Sequence, residues 1–266
     1  GFHVSQLYSS TVKPQHLAAS FLKGRTSPSD EQEFFNSKLG LPHEPPGARI
    51  SDADIEACTG NYKMVDRIGP QSLVTMGVDV GTWNHYEITE YYYDQRKSNV
   101  NLSATGRILK AGKVKHFEEL DAKMKDFGVN FCVIDANPER RKATEFAQRW
   151  WGRVRLCFYG RGVTATDIKV HDQEKHTMTV NRTSWLDASL GRIKQRRLQF
   201  PVDLPIEYKD HIKSLVRITE KDGSGNPVGK YVNTGEDHYA HARNYNELAL
   251  RLASSFSQSS NMGNVF

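Results

Sequence analysis

The sequence predicts an α/β fold: a mixed sheet of five strands ordered 3-2-1-4-5, with flanking helices and an inserted β-hairpin. Two observations predict it. Residues 73–116 read as three strands in succession, and residues 117–158 then alternate helix, strand, helix, strand. Two of the apolar strand runs also each deliver an aspartate. One is Leu73-Val74-Thr75-Met76-Gly77-Val78-Asp79-Val80-Gly81; the other, Val129-Asn130-Phe131-Cys132-Val133-Ile134, runs directly into Asp135. An ionised carboxylate in such a run is costly to bury unless it is paired or bound to metal.

Residues 1–70 are irregular, broken by Pro14, Pro28, Pro42, Pro45, Pro46 and Pro70. Short helices fit 11–22 and 29–39, the second with Asp30 and Glu31 in its first turn and Gly40 at its C-terminal cap. His43-Glu44-Pro45-Pro46-Gly47 reads as linker. A strand then covers 73–80, Gly81-Thr82-Trp83-Asn84 turns the chain, a second strand covers 85–93, and a third lies within 105–116. Phe117, Leu120, Met124 and Phe127 share one helical face, and Gly128 stops that helix. After Asp135, Asn137 can cap a helix with Pro138 in its first position, running to Trp151, and 154–158 is the fifth strand.

Beyond Gly160 the pattern is looser. An amphipathic helix fits 184–197, with Trp185, Leu186, Ser189, Leu190 and Ile193 on one side. Strands 215–219 and 228–232 flank Asp222-Gly223-Ser224-Gly225-Asn226-Pro227, a hairpin with an open turn. A long helix begins near Glu236-Asp237-His238, burying Ala242, Tyr245, Ala249 and Leu252. The expected division is an arm at 1–70, a domain at 71–254 and a Ser/Asn-rich disordered tail at 255–266.

Composition excludes several classes. A hydrophobic content of 38% and mean hydropathy of -0.62 support one sizeable core. No apolar run approaches the roughly 20 residues of a membrane span, and the N-terminus has no signal-peptide pattern. Cys58, Cys132 and Cys157 form no Cys-x-x-Cys pair, which argues against a disulfide scaffold or zinc ribbon. The net charge of +5 permits nucleic-acid binding without establishing it.

In the order 3-2-1-4-5 the Asp79 and Asp135 strands are parallel neighbours, about 4.8 Å apart. Their carboxylates can therefore clamp two metals roughly 3.5–4 Å apart. Asp135 equally suits a turn, Asp-Ala-Asn-Pro. On the last helix, Asp237 and His241 are four residues apart and His238 lies near the same face. This face can close the site from above, while Thr234 with Asp237 also fits a capping box. No third soft ligand lies near the two histidines in sequence. A phosphate-binding loop is missing: between Gly106 and Gly112-Lys113 there are five residues instead of four, and Val114 follows. Gly223-Ser224-Gly225 is followed by Pro227.

Three stretches resemble the nuclease domain of the large terminase subunit of tailed bacteriophages. They are Phe34-Phe35-Asn36-Ser37-Lys38-Leu39-Gly40-Leu41-Pro42, Met76-Gly77-Val78-Asp79-Val80-Gly81, and Gly235-Glu236-Asp237-His238-Tyr239-Ala240-His241-Ala242-Arg243-Asn244-Tyr245. The resemblance implies an RNase H-like fold and a two-metal DNA endonuclease that cuts concatemeric viral DNA during genome packaging. It implies Asp79, Asp135 and Asp237 as catalytic metal ligands, with two divalent ions, Mg²⁺ or Mn²⁺. The family commonly reads Asp-His-x-x-Asp-Ala-x-x-Tyr in the last stretch, and its second Asp is His241 here. The third ligand is therefore Asp237 or His241.

The implied partners are double-stranded DNA, the portal protein, the small terminase subunit and an ATPase domain absent from this chain, with no membrane; the implied place is the host-cell cytoplasm. DNA contact falls to basic residues: Arg140, Arg141 and Lys142, the Arg192-Ile193-Lys194-Gln195-Arg196-Arg197 run, and Lys213 and Arg217 near the hairpin. Two alternatives stand beside this reading. One is another RNase H-like enzyme of resolvase or transposase type. The other is a module that docks DNA or portal without cutting, which separated aspartates would favour.

Overall fold

A computed structural model describes residues 4–25, 28–41, 47–65, 73–92, 104–160, 162–163, 165–172, 176–221, 223 and 227–262. Most of the expected 43–47 linker, Pro70 and most of the 222–227 turn lie outside the described residues. The chain divides into two compact units, residues 50–213 with 235–266, and residues 1–49 with 214–234.

The larger unit is built on an eight-stranded mixed sheet whose strands lie in the order β6 (Ile168–Asp172), β7 (Thr177–Val180), β5 (Val154–Tyr159), β4 (Phe131–Asp135), β1 (Leu73–Asp79), β2 (Asn84–Tyr92), β3 (Thr105–Val114), β8 (Leu198–Gln199). Its centre, β3-β2-β1-β4-β5, is the predicted RNase H-like arrangement. β1 (Leu73–Asp79), β2 (Asn84–Tyr92) and β3 (Thr105–Val114) form the antiparallel meander, and β4 (Phe131–Asp135) pairs parallel with β1. β5 (Val154–Tyr159) extends the parallel part. Strands β1 and β4 are buried on both faces, as helix-covered parallel strands must be.

One face of the sheet packs on the helices Phe117–Asp126 and Arg140–Arg149 through Leu120, Met124, Phe127, Ala143 and Phe146. The first helix is secured at its start by Glu119, whose carboxylate accepts the His116 N–H at 3.0 Å. The opposite face carries the long C-terminal helix, His238–Met262, and the Arg182–Lys194 helix, with Tyr245, Leu248, Ala249 and Trp185 packed on Phe131, Val133, Cys157 and Met178.

Several boundaries differ from the sequence reading. The helix after β4 starts at Arg140 and is not capped by Asn137, whose N–H instead reaches the Asp135 carboxylate at 3.0 Å. The helix expected at 184–197 starts two residues earlier because Asn181 accepts the Ser184 N–H at 3.0 Å. The looser region after Gly160 contains β6 (Ile168–Asp172), β7 (Thr177–Val180), β8 (Leu198–Gln199) and the helix Ile206–Ser214. The three strands are short pieces whose regularity comes from sheet pairing, so periodicity alone did not reveal them. Gly106 and Gly112 sit in β3, and no phosphate loop forms there.

In the smaller unit, helices Pro14–Gly24 and Pro28–Glu33 lead into a π-helical segment, Phe34–Leu39. Gly40 closes it in the left-handed conformation, φ 69°, which a residue without Cβ adopts at little cost. Phe21 and Phe34 pack at 5.4 Å between ring centroids. The expected hairpin is present as β9 (Leu215–Lys221) and β10 (Pro227–Asn233). Thr234 donates its hydroxyl to the Ser214 carbonyl at 3.0 Å, so it is a strand-end residue and not a helix cap.

Candidate active site

The strand register lines up a row of side chains across the sheet. Asp79 ends β1 directly opposite His85 of β2. On its other side, Val78 pairs with Ile134, which places Asp135 beside Asp79 one strand away. Asp135 in turn pairs with Cys157 of β5. His85, Asp79, Asp135 and Cys157 therefore stand at one level on four neighbouring strands, each about 4.8 Å from the next.

The C-terminal helix lies over this row, and Gly77 is the reason it can approach so closely. A Cβ at Gly77 would fall 2.1 Å from the Ala242 carbonyl oxygen and 2.2 Å from the Asn246 nitrogen. Thr75, Gly77 and Asp79 alternate onto the helix-facing side of β1 and meet Asn246, Ala242 and His238 respectively. The match is geometric. Four helical residues advance about 6 Å and two strand residues about 6.7 Å, so contacts stay in step along the pair. Thr75 donates its hydroxyl to Asn246 at 2.6 Å, and the Asn246 amide donates to the Glu87 carbonyl at 2.9 Å.

A buried ionic network anchors the same helix beside the site. Arg243, fully buried, bonds Glu87 at 2.6 Å and the Tyr91 hydroxyl at 2.8 Å, and it also holds Glu247. Arg192 bonds Glu247 at 2.8 Å and the Ala104 carbonyl at 2.6 Å. Two guanidinium groups thus balance two carboxylates, which is what makes their burial tolerable. Arg192 belongs to the basic run expected to touch DNA; the fold uses it inside.

The end of the helix straddles the row. On the β2 side, His238 Nδ1 is 2.8 Å from Asp79 Oδ2, and that hydrogen bond raises the His238 pKa. The His85 ring stacks on His238 at 4.6 Å, with 6° between the planes. Burial, with His238 beside it, lowers the His85 pKa to about 4. On the β5 side, His241 lies 3.3 Å from Asp237 and 3.0 Å from the Tyr159 hydroxyl. Arg182 reaches the same pair, 3.3 Å from His241 and 3.8 Å from Asp237. Burial alone would raise the Asp237 pKa, yet His241 and Arg182 hold it below its usual value. Asp135 behaves oppositely: burial, and then the charge of Asp79, push it up to about 6 despite the Asn137 N–H.

This donor set fits a divalent cation. Asp135 is a carboxylate that its surroundings discourage from ionising, and a cation between it and Asp79 would reverse that. Donor atoms of Asp79, His85 and His238 also lie within 4.8 Å of one another, as do those of Glu207, His211 and Glu236. Sequence reasoning missed His85, Tyr159, Arg182 and His211. Only the strand register and the far end of the chain bring them here, and no local spacing carries that signal.

The basic candidates are dispersed. Arg140, Arg141 and Lys142 are exposed at the start of their helix, where Arg141 pairs with Glu145 at 3.6 Å and Lys142 with Glu139 at 3.5 Å. Arg196 is exposed and Arg197 half-buried. Lys213 is tied to Asp52 at 2.8 Å and Asp210 at 3.3 Å. Arg217 is exposed on β9, its guanidinium lying over Gly229.

A family model described as the terminase large subunit gpA, endonuclease domain, matches residues 1–251. Among solved structures, the large terminase nuclease of thermophilic phage G20c is 14% identical with a TM-score of 0.46, covering 73% of this chain and 95% of that one. The Thermus phage P74-26 large terminase nuclease domain is 13% identical with a TM-score of 0.45, covering 73% and 92%. The large terminase of a further thermophilic bacteriophage is 12% identical with a TM-score of 0.42, covering 92% of this chain and 54% of that one. No curated protein matches.

Proposed function

This chain belongs to the terminase large subunit gpA endonuclease-domain family, and we propose that it hydrolyses phosphodiester bonds of double-stranded DNA with divalent ions held by Asp79, Asp135 and Asp237. The observation that carries the reading is the placement of Asp79 and Asp135 side by side at the ends of parallel neighbours β1 and β4. A docking module without catalysis would not need two strand-end carboxylates on one level.

In this reading Asp79 would serve both ions, Asp135 would hold one of them, and Asp237 with His241 would close that side from the helix. When bound, the ions activate a water and neutralise charge on the leaving oxygen. The chain's own residues position them. Asn137 N–H holds the Asp135 carboxylate, Tyr159 and Arg182 hold the Asp237–His241 pair, and the Arg243 network fixes the helix over the sheet. Arg140, Arg141, Lys142, Arg196, Arg197, Lys213 and Arg217 supply phosphate contacts without reading sequence.

The proposed substrate is concatemeric viral DNA in the host-cell cytoplasm. The proposed partners are the portal protein, the small terminase subunit and an ATPase domain reached through residues 1–70. Among the described residues, no helix is long and apolar enough to cross a membrane. Plasmid cleavage with Mg²⁺, Mn²⁺ or EDTA tests the reading: nicking or linearisation that EDTA stops is expected, and cleavage indifferent to EDTA would refute it.

A further inference from the structure

We propose that His85 and His238 join Asp79 to form a nitrogen-rich metal position, which takes a first-row transition ion such as Mn²⁺ or Co²⁺ in preference to Mg²⁺. It rests on the nuclease reading above and assigns ligands to the second side of Asp79, opposite Asp135.

Four observations point there. The antiparallel register sets His85 directly opposite Asp79, on the same face of the sheet. His238 comes down onto that pair from the helix, Nδ1 at 2.8 Å from Asp79 Oδ2. Cis ligands on an ion with bonds of about 2.1 Å stand about 3 Å apart, so this contact already has the spacing of a coordination edge. All three donors lie within 4.8 Å of one another.

The fourth observation is the state of His85 itself. The residue is 4% exposed, and its Nδ1 is buried with no hydrogen-bond partner among the described residues. A buried ring nitrogen left so is costly, and a cation would satisfy it. Its other ring nitrogen, Nε2, lies 3.8 Å from Glu207 Oε1. A histidine that ligates metal commonly directs its second nitrogen at a carboxylate, which orients the ring and makes it a better donor. Glu207 is itself held by Lys113 at 2.7 Å, so the carboxylate is a fixed support.

The opposite side of the helix end differs in chemistry. His241 faces Asp237, Tyr159 and Arg182, so the carboxylates Asp135 and Asp237 dominate there and suit Mg²⁺. Two imidazoles beside one carboxylate favour a softer ion. The two positions about Asp79 are therefore chemically unlike, and they should fill in sequence with different metals.

Pulsed electron paramagnetic resonance on the whole chain loaded with one equivalent of Mn²⁺ reads the ligands directly. Nitrogen hyperfine modulation from imidazole is expected, lost in part in His85→Ala and in His238→Ala. Calorimetry should show Mn²⁺ binding at least ~10-fold weaker in each variant, with Mg²⁺ binding changed less than about 2-fold. His241→Ala, which removes the imidazole of the carboxylate centre, should keep the modulation, and that spectrum decides the question even where another variant fails to fold; modulation lost in His241→Ala would overturn the proposal. Bound Mn²⁺ without nitrogen modulation, lost in Asp79→Asn, would overturn the imidazole position and leave the carboxylate centre standing. Absence of any Mn²⁺ or Mg²⁺ binding would overturn both.

Discussion

Gly77 and Ala242 meet backbone to backbone, closely enough that a Cβ on Gly77 would sit 2.1 Å from the Ala242 carbonyl oxygen. That contact sets the height of the C-terminal helix above β1, and with it the reach of His238, Asp237 and His241 toward the sheet.

Gly77→Ala should therefore damage both fold and site. The clash is with backbone on both sides, so no rotamer relieves it, and a loss of about 3 kcal/mol or more is expected. Urea unfolding checks the stability, and calorimetry checks whether divalent binding falls with it. A variant as stable as the parent would mean that the helix is not seated on Gly77.

Asp79→Asn and Asp135→Asn should each cut DNA cleavage by more than about 100-fold, the upper range for removing a supporting group around a metal. Both variants should keep the circular dichroism of the parent, because asparagine matches aspartate in shape. Cleavage near the parental rate in either variant would remove that residue from the site.

The Arg243 network should make stability fall in acid. Burial would raise the Glu247 pKa, but Arg192 and then Arg243 hold it below its ordinary 4.5. A depressed carboxyl stabilises the fold fully above 4.5 and loses that contribution as pH drops through the lower folded value. Urea midpoints should thus be level near neutrality and fall below 4.5. Glu247→Gln should flatten that fall, while Arg243→Ala, which takes the guanidinium away from buried Glu87 and leaves Glu247 to Arg192 alone, should cost about 3–5 kcal/mol at pH 7.

DNA affinity should decline steeply with salt, by a logarithmic slope of about -0.9 for each phosphate neutralised. Charge reversal of Arg140 with Arg141, and of Arg196 with Arg197, should flatten the slope by up to about two each. Lys213 is already paired with Asp52 and Asp210, so its reversal should change the slope less. Equal slopes in all variants would place the DNA path elsewhere.

What the sequence alone determined is the five-strand core and its order. Apolar runs bounded by turns, and the helices that precede β4 and β5, are local patterns that write their own structure, and they carried Asp79 and Asp135 to adjacent strand ends. The hairpin at 215–233 was legible for the same reason. What only tertiary structure decided is the company those aspartates keep. His85 faces Asp79 through antiparallel register, and Arg182 and Tyr159 reach the Asp237–His241 pair from elements 59 and 82 residues away from His241. Which of three neighbouring residues, Asp237, His238 or His241, meets which strand depends on the depth and rotation of the helix. Those are set by one missing Cβ at Gly77 and by the buried pairing of Arg243 with Glu87 and Glu247, long-range steric and electrostatic terms that no spacing within the helix encodes.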